Sequence, residues 1–147
     1  MDKYVMANAV FSKFSRNYME LKKGLPIRPS EMGVLNIITE TPGPHTSVLL
    51  AELLGVSKPM ITAHLSALTE KGYITKQQSP EDRRVFYILP TKKALELVES
   101  AKKEMYQHLE RMVEALGKVE FDTLVSLMET ANQTLENNLQ QMCKEGE

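Results

Sequence analysis

Between Thr46 and Lys71 the sequence spells two short apolar-periodic helices interrupted once, at Gly55-Val56-Ser57, and that interruption constrains the fold more than any other feature. Thr46 is placed to cap a helix through Val48, Leu49, Ala51, Leu53 and Leu54, its hydroxyl meeting an N–H of the first turn. Gly55 ends that helix in a left-handed conformation, which glycine adopts without steric penalty. Val56 turns inward, and Ser57 caps a second helix that runs to about Lys71. Pro59 falls in its first turn, where a missing N–H costs nothing. Ile61, Leu65 and Leu68 make its buried face, and Gly72 ends it. A glycine turn this short joins helices at a steep angle, so the second helix is presented outward from a small core.

The flanks complete the pattern. Val10, Phe11, Phe14, Tyr18 and Leu21 predict one amphipathic N-terminal helix that ends at Gly24, ahead of Pro26 and Pro29. A short helix from Pro29 or Ser30 turns Met32, Val34, Leu35 and Ile38 inward, and Thr41-Pro42-Gly43-Pro44 stops it. Tyr73-Ile74-Thr75 and Val85-Phe86-Tyr87-Ile88-Leu89 read as strands, with the polar run Gln77 to Arg84 as the turn of a β-hairpin. Thr91 is placed to cap a long helix that carries Leu95, Val98, Ala101, Met105, Leu109, Met112 and Leu116. Gly117 breaks it, and a second long helix carries Phe121, Leu124, Met128, Ala131, Leu135, Leu139 and Met142.

The expected fold class is mainly α with a small β-hairpin wing (α+β). It divides into an N-terminal dimerisation helix in residues 1–28, a winged helix-turn-helix in 29–91, and C-terminal dimerisation helices in 92–147. The stripes on the flanking helices are too long for so small a core to cover, so they are expected to pair with a second copy in a two-fold homodimer.

Composition narrows the function. Cys143 is the single cysteine, so no internal disulfide is possible and a reducing, cytoplasmic compartment fits. The most apolar stretch, Val48 to Val56, is short and broken by Glu52, so no membrane association is expected. Three scattered histidines and one cysteine have no metal-ligand spacing, and there is no glycine-rich phosphate loop or nucleophile elbow. No enzyme activity, metal or cofactor is therefore expected. The net charge of -1 conceals an asymmetry: residues 1–93 hold 13 Lys and Arg against 8 Asp and Glu, whereas residues 94–147 hold 5 against 11. One basic half is suited to meet an anion, and the acidic half to stay away from it.

That anion is expected to be double-stranded DNA. A helical wheel puts Pro59, Thr62, Ala63 and Ser66 opposite the buried face of the second helix, with Met60 and Ala67 flanking. Small and hydroxylated groups let a helix approach base edges in the major groove; Thr62 and Ser66 can bond bases or phosphates, and Ala63 can touch a thymine methyl. Ser57 and Lys58 sit at the helix start, where N–H groups favour a phosphate. At the hairpin tip, Arg83 and Arg84 can reach the narrow minor groove, with Asp82 orienting one of them through a bidentate pair. For each residue a plainer role competes: Ser57 as a cap, Thr62 as surface, Asp82 and its arginine as an exposed ion pair. His64 falls toward the buried flank and is read as structural, and His45 as loop.

Two motifs give these elements a family likeness. Leu53-Leu54-Gly55-Val56-Ser57-Lys58-Pro59-Met60-Ile61-Thr62, continuing to Leu68-Thr69-Glu70-Lys71-Gly72-Tyr73-Ile74, and the wing run Asp82-Arg83-Arg84-Val85-Phe86-Tyr87-Ile88-Leu89-Pro90-Thr91 resemble the MarR (multiple antibiotic resistance regulator) family. The resemblance implies a repressor that binds a pseudo-palindromic operator as a homodimer and is released by a small, often aromatic or phenolic, effector. It also implies that Arg84 is the minor-groove arginine. The sequence departs from the family at Ala63, where relatives often carry a basic residue, and in lacking the N-terminal-helix cysteine of the family's peroxide sensors. The alternatives are an activator rather than a repressor, and a winged-helix protein-interaction module without specific DNA binding.

Overall fold

The computed structural model describes residues 2–146, which form two compact units, one running to Lys103 and the other starting at Glu104. The element order is α1 (Lys3–Glu20), α2 (Pro29–Glu40), α3 (Ser47–Leu54), α4 (Lys58–Glu70), β1 (Ile74–Gln78), β2 (Phe86–Pro90), α5 (Lys92–Leu116) and α6 (Lys118–Glu145). The winged helix-turn-helix expected from the sequence is present, with α5 and α6 as the two long helices.

Local chemistry sets the boundaries. The Thr46 hydroxyl accepts the Leu49 N–H at 3.2 Å, and the Ser57 hydroxyl accepts the Met60 N–H at 3.3 Å, so both expected caps form. Gly55 sits at φ 65°, and the α3 and α4 axes turn by 113° across it. Thr91 both caps α5, accepting the Ala94 N–H, and donates to the Gly72 carbonyl at 2.8 Å. Gly117 at φ 93° separates α5 from α6, and a β-carbon there would lie 2.6 Å from a Glu120 carboxylate oxygen.

The core of the first unit is drawn from every element around the turn. Val34 and Leu35 of α2, Leu50 of α3, Ile61, Leu65 and Leu68 of α4, Ile74 of β1, Ile88 of β2, and Ala94 and Val98 of α5 are buried together. Fully burying each large aliphatic side chain contributes about 1.5–3 kcal/mol. Leu50, absent from the expected α3 stripe, is the one residue α3 buries completely, whereas Val48 and Leu53 face outward. Leu95 is likewise exposed; α5 packs through Ala94, Leu97, Val98 and Ala101, a face rotated by one residue.

The ends of α1, β1 and β2 differ from the sequence reading. Helix α1 stops at Glu20 and hydrogen-bonded turns carry the chain on to Gly24. Gln77 and Gln78 belong to β1 rather than to the turn, and β2 starts at Phe86 and takes in Pro90. The register Ile74↔Pro90 through Gln78↔Phe86 explains both, because five antiparallel pairs lengthen the wing and shorten its tip. His45 is also more than loop: it is buried, its Nε2 lies 2.9 Å from the Thr41 hydroxyl, and its carbonyl accepts the Ile88 N–H at 2.8 Å. It ties the segment before α3 to β2.

An ion pair whose acid is buried closes the base of α4. Glu31, only 2% exposed, accepts from Lys71 Nζ at 2.9 Å and from the Arg28 N–H at 3.3 Å. Burial pushes the Glu31 carboxyl up, but the Lys71 bond and charge, with the Arg28 N–H, outweigh it and hold the group below its usual value. In the second unit, no residue of α6 is buried, and among the described residues no single helix is long and apolar enough to cross a membrane.

Candidate nucleic-acid interface

Helix α4 presents the surface its periodicity specifies. With Ile61, Leu65 and Leu68 buried, Ser57, Lys58, Pro59, Met60, Thr62, Ala63 and Ser66 are all exposed. The Thr62 hydroxyl donates to the Lys58 carbonyl one turn earlier at 2.9 Å. Its proton is thereby engaged, which leaves lone pairs for an incoming N–H donor. His64 lies at the edge of the packed face, with its Nε2 buried.

The wing tip is a turn held by side-chain hydrogen bonds. Val85 N–H donates to the Asp82 carbonyl at 3.0 Å, which closes Asp82-Arg83-Arg84-Val85 as a four-residue turn. Asp82 Oδ1 accepts the Arg84 backbone N–H at 3.0 Å, the local bond that makes Asp favourable at such a position. Its carboxylate then takes Arg84 Nε at 3.2 Å and Nη2 at 3.4 Å, the bidentate pair expected from the sequence. The backbone bond first, and the guanidinium second, hold the Asp82 carboxyl below its usual range. Arg84 remains 90% exposed, so the pair aims the guanidinium without removing it from solvent. Arg83 is exposed too, and its carbonyl accepts from Gln78 Nε2 at 2.8 Å.

A cleft of about 400 Å³ lies between the wing and the start of α3: Thr46, Ser47 and Val48 of that segment, Leu65 of α4, and Lys76, Arg84, Val85, Phe86 and Ile88 of the wing line it. The start of α3 and the wing residues Lys76 and Arg84 thus border one concavity, to which α4 contributes the buried Leu65 and none of its exposed face. Lys76, Gln78 and Ser79 were not singled out from the sequence. Ser79 is buried at the root of the tip, and the signal that marks it is a Ser followed by two loop N–H groups it can accept.

Similar proteins point the same way. Residues 27–86 match the MarR family. An uncharacterised HTH-type transcriptional regulator of Bacillus subtilis (strain 168), YdgJ, is 25% identical over 88 residues, 60% of this chain and 54% of that protein. The match thus spans about half of that relative's length. Among solved structures, Streptococcus pneumoniae FabT in complex with DNA superposes with a TM-score of 0.81 at 22% identity, over 92% of this chain and 99% of that one. The transcriptional repressor CouR, bound to a 23-mer DNA duplex, gives 0.69 at 27% identity, over 90% and 92%.

Proposed function

We propose, from the match of residues 27–86 to the MarR family, that this chain is a cytoplasmic transcriptional regulator, a repressor that binds a pseudo-palindromic DNA duplex as a homodimer. Helix α4 enters the major groove with Pro59, Thr62, Ala63 and Ser66 toward the bases, while Ser57 and Lys58 meet phosphate. Arg84, aimed by Asp82, enters the adjacent minor groove, with Arg83 beside it. The observation that carries the proposal is the guanidinium held in a bidentate grip at the exposed wing tip, beside a cleft that the start of α3 also lines. An ion pair that leaves its cation exposed contributes little to stability, and the guanidinium stays available to a ligand. The similar chain CouR, a repressor held on a DNA duplex, supports the same reading.

The dimer is assigned to residues 1–28 and 92–147. Helix α1 buries no residue, and Tyr4, Val5, Val10, Phe11 and Phe14 are exposed on it; Val125, Leu127, Leu135, Leu139 and Met142 are exposed on α6. A second copy covering such stripes sets two α4 helices about one DNA turn, ~34 Å, apart. A small aromatic or phenolic effector releases the duplex by binding the two states of the dimer unequally. No catalytic role is assigned. The test is selection of duplexes from a random pool by the purified protein at near-physiological salt. Convergence on a palindrome with half-sites about one turn apart is expected. A pool that never converges sinks the proposal in favour of a winged-helix protein-interaction module.

A further inference from the structure

The tip of the wing hangs on a residue that faces inward. Ser79 is 4% exposed, and its single hydroxyl makes every hydrogen bond such a group can make. It accepts the N–H of Glu81 at 3.3 Å and that of Asp82 at 3.4 Å, and donates to the Tyr87 hydroxyl oxygen at 3.3 Å. The Ser79 backbone N–H separately donates to the Val85 carbonyl at 2.8 Å, so the root of the loop is closed without the hydroxyl. What the hydroxyl alone fixes is the backbone leading into Asp82, and Asp82 is the residue that grips Arg84.

We propose that Ser79 is a positioning residue for DNA binding: without touching the duplex, its hydroxyl holds the Glu81–Asp82 backbone so that Asp82 aims the Arg84 guanidinium. The inference rests on the DNA-binding reading above. Its physical basis is pre-organisation. An exposed arginine on a mobile loop must be immobilised when it binds, and a guanidinium already oriented loses less freedom. Immobilising one long side chain weakens binding by roughly 3–10-fold, which is the effect the Ser79 hydroxyl is expected to save.

The experiment is a double-mutant cycle on the full chain with Ser79→Ala, Arg84→Ala and both together. The probe is the duplex that the wild-type protein selects from a random pool, and thermal melting is followed in parallel. Ser79→Ala is expected to lower affinity roughly 3–10-fold, Arg84→Ala at least as much, and the double variant no further than Arg84→Ala alone. Wild-type affinity in Ser79→Ala beside a weakened Arg84→Ala overturns the inference and leaves the DNA reading standing. Losses that multiply in the double variant also overturn it, since a merely structural serine weakens binding whether or not Arg84 is present. Wild-type affinity in Arg84→Ala removes the wing from the DNA reading and the Ser79 inference with it. A measurement without DNA completes the set: exchange of the Arg84 Nε proton, followed by NMR, should quicken in Ser79→Ala, and unchanged exchange overturns the inference.

Discussion

The unit that ends at Lys103 and the one that begins at Glu104 are built from helices with the same apolar periodicity, yet they dispose of it in opposite ways. In the first, the stripes of α2, α3 and α4 converge, and Val34, Leu35, Leu50, Ile61 and Leu68 are lost from solvent almost entirely. In the second, α6 repeats Leu124, Met128, Leu135, Leu139 and Met142 along 28 residues and buries none of them. A helical stripe states that something must cover it, but not whether the cover comes from the same chain. The winged region answers internally, through three short helices packed across a 113° turn and a hairpin. For the long helix, the proposed cover is a second chain.

The most direct way to sharpen this contrast is to cut one residue from each side. Leu50→Ala removes a fully buried side chain at the centre of the winged region and should lower stability to unfolding in urea by about 2–5 kcal/mol. A loss below about 1 kcal/mol would mean that the helices pack far more loosely than their burial implies. The paired change Leu135→Asp with Leu139→Asp, both on exposed α6 positions, should instead act on association. Its expected signature is a dimer weakened by about 2 kcal/mol or more in sedimentation equilibrium, with the methyl NMR signals of Leu50 and Ile61 unmoved. A wild-type protein that sediments as a monomer would break the comparison, because the α6 stripe would then be uncovered for some other reason.

The same contrast explains how far the sequence could be read. The turn at Gly55, the Thr46 and Ser57 caps, the buried trio Ile61, Leu65 and Leu68, and the pairing of Asp82 with one of its neighbouring arginines all depend on residues within a few positions of each other. The structure has each of them. What escaped is what tertiary contact decides. Glu31 and Lys71 are 40 residues apart and carry no shared pattern. His45 looks like loop until its carbonyl is seen to accept from Ile88, a pairing set by where the hairpin folds back. Leu50 replaces its neighbours as the buried residue of α3 because an eight-residue helix offers two turns, too few for periodicity to fix the inward face. The exposed stripe of α6 was legible as a stripe that calls for a second copy.

The Glu31–Lys71 pair gives the winged region a pH dependence that the α6 stripe, being apolar, lacks. The folded state holds the Glu31 carboxyl below its ordinary value of 4.5, so the group binds its proton more readily in the unfolded chain. Its contribution is therefore present above the unfolded value and is lost as pH falls through the lowered folded one. Lys71 is 41% exposed, so water screens the pair and the stabilisation is about 1 kcal/mol. Glu31→Gln should be less stable than wild type by that amount at neutral pH, with the two converging in acid. Parallel stability curves from neutral pH down to about pH 3 would show that the carboxylate charge contributes nothing.

The smallest expected effect falls on the reading face itself, and it separates a packed residue from an offered one. The Thr62 hydroxyl already donates to Lys58, on the exposed side of α4, so Thr62→Ala removes a bond that water can replace. Stability should change by less than about 0.5 kcal/mol. In binding, the engaged proton leaves Thr62 only acceptor capacity, which matches the exocyclic amino donors of adenine or cytosine in the major groove. Loss of the side chain should therefore relax the preference for an amino-bearing base at one position per half-site, by about 1 kcal/mol, and leave the rest of the site unchanged. A uniform loss across all sequences would instead place Thr62 on phosphate. Selection repeated with the variant distinguishes the two, because a phosphate contact weakens every duplex equally whereas a base contact alters which duplexes are recovered.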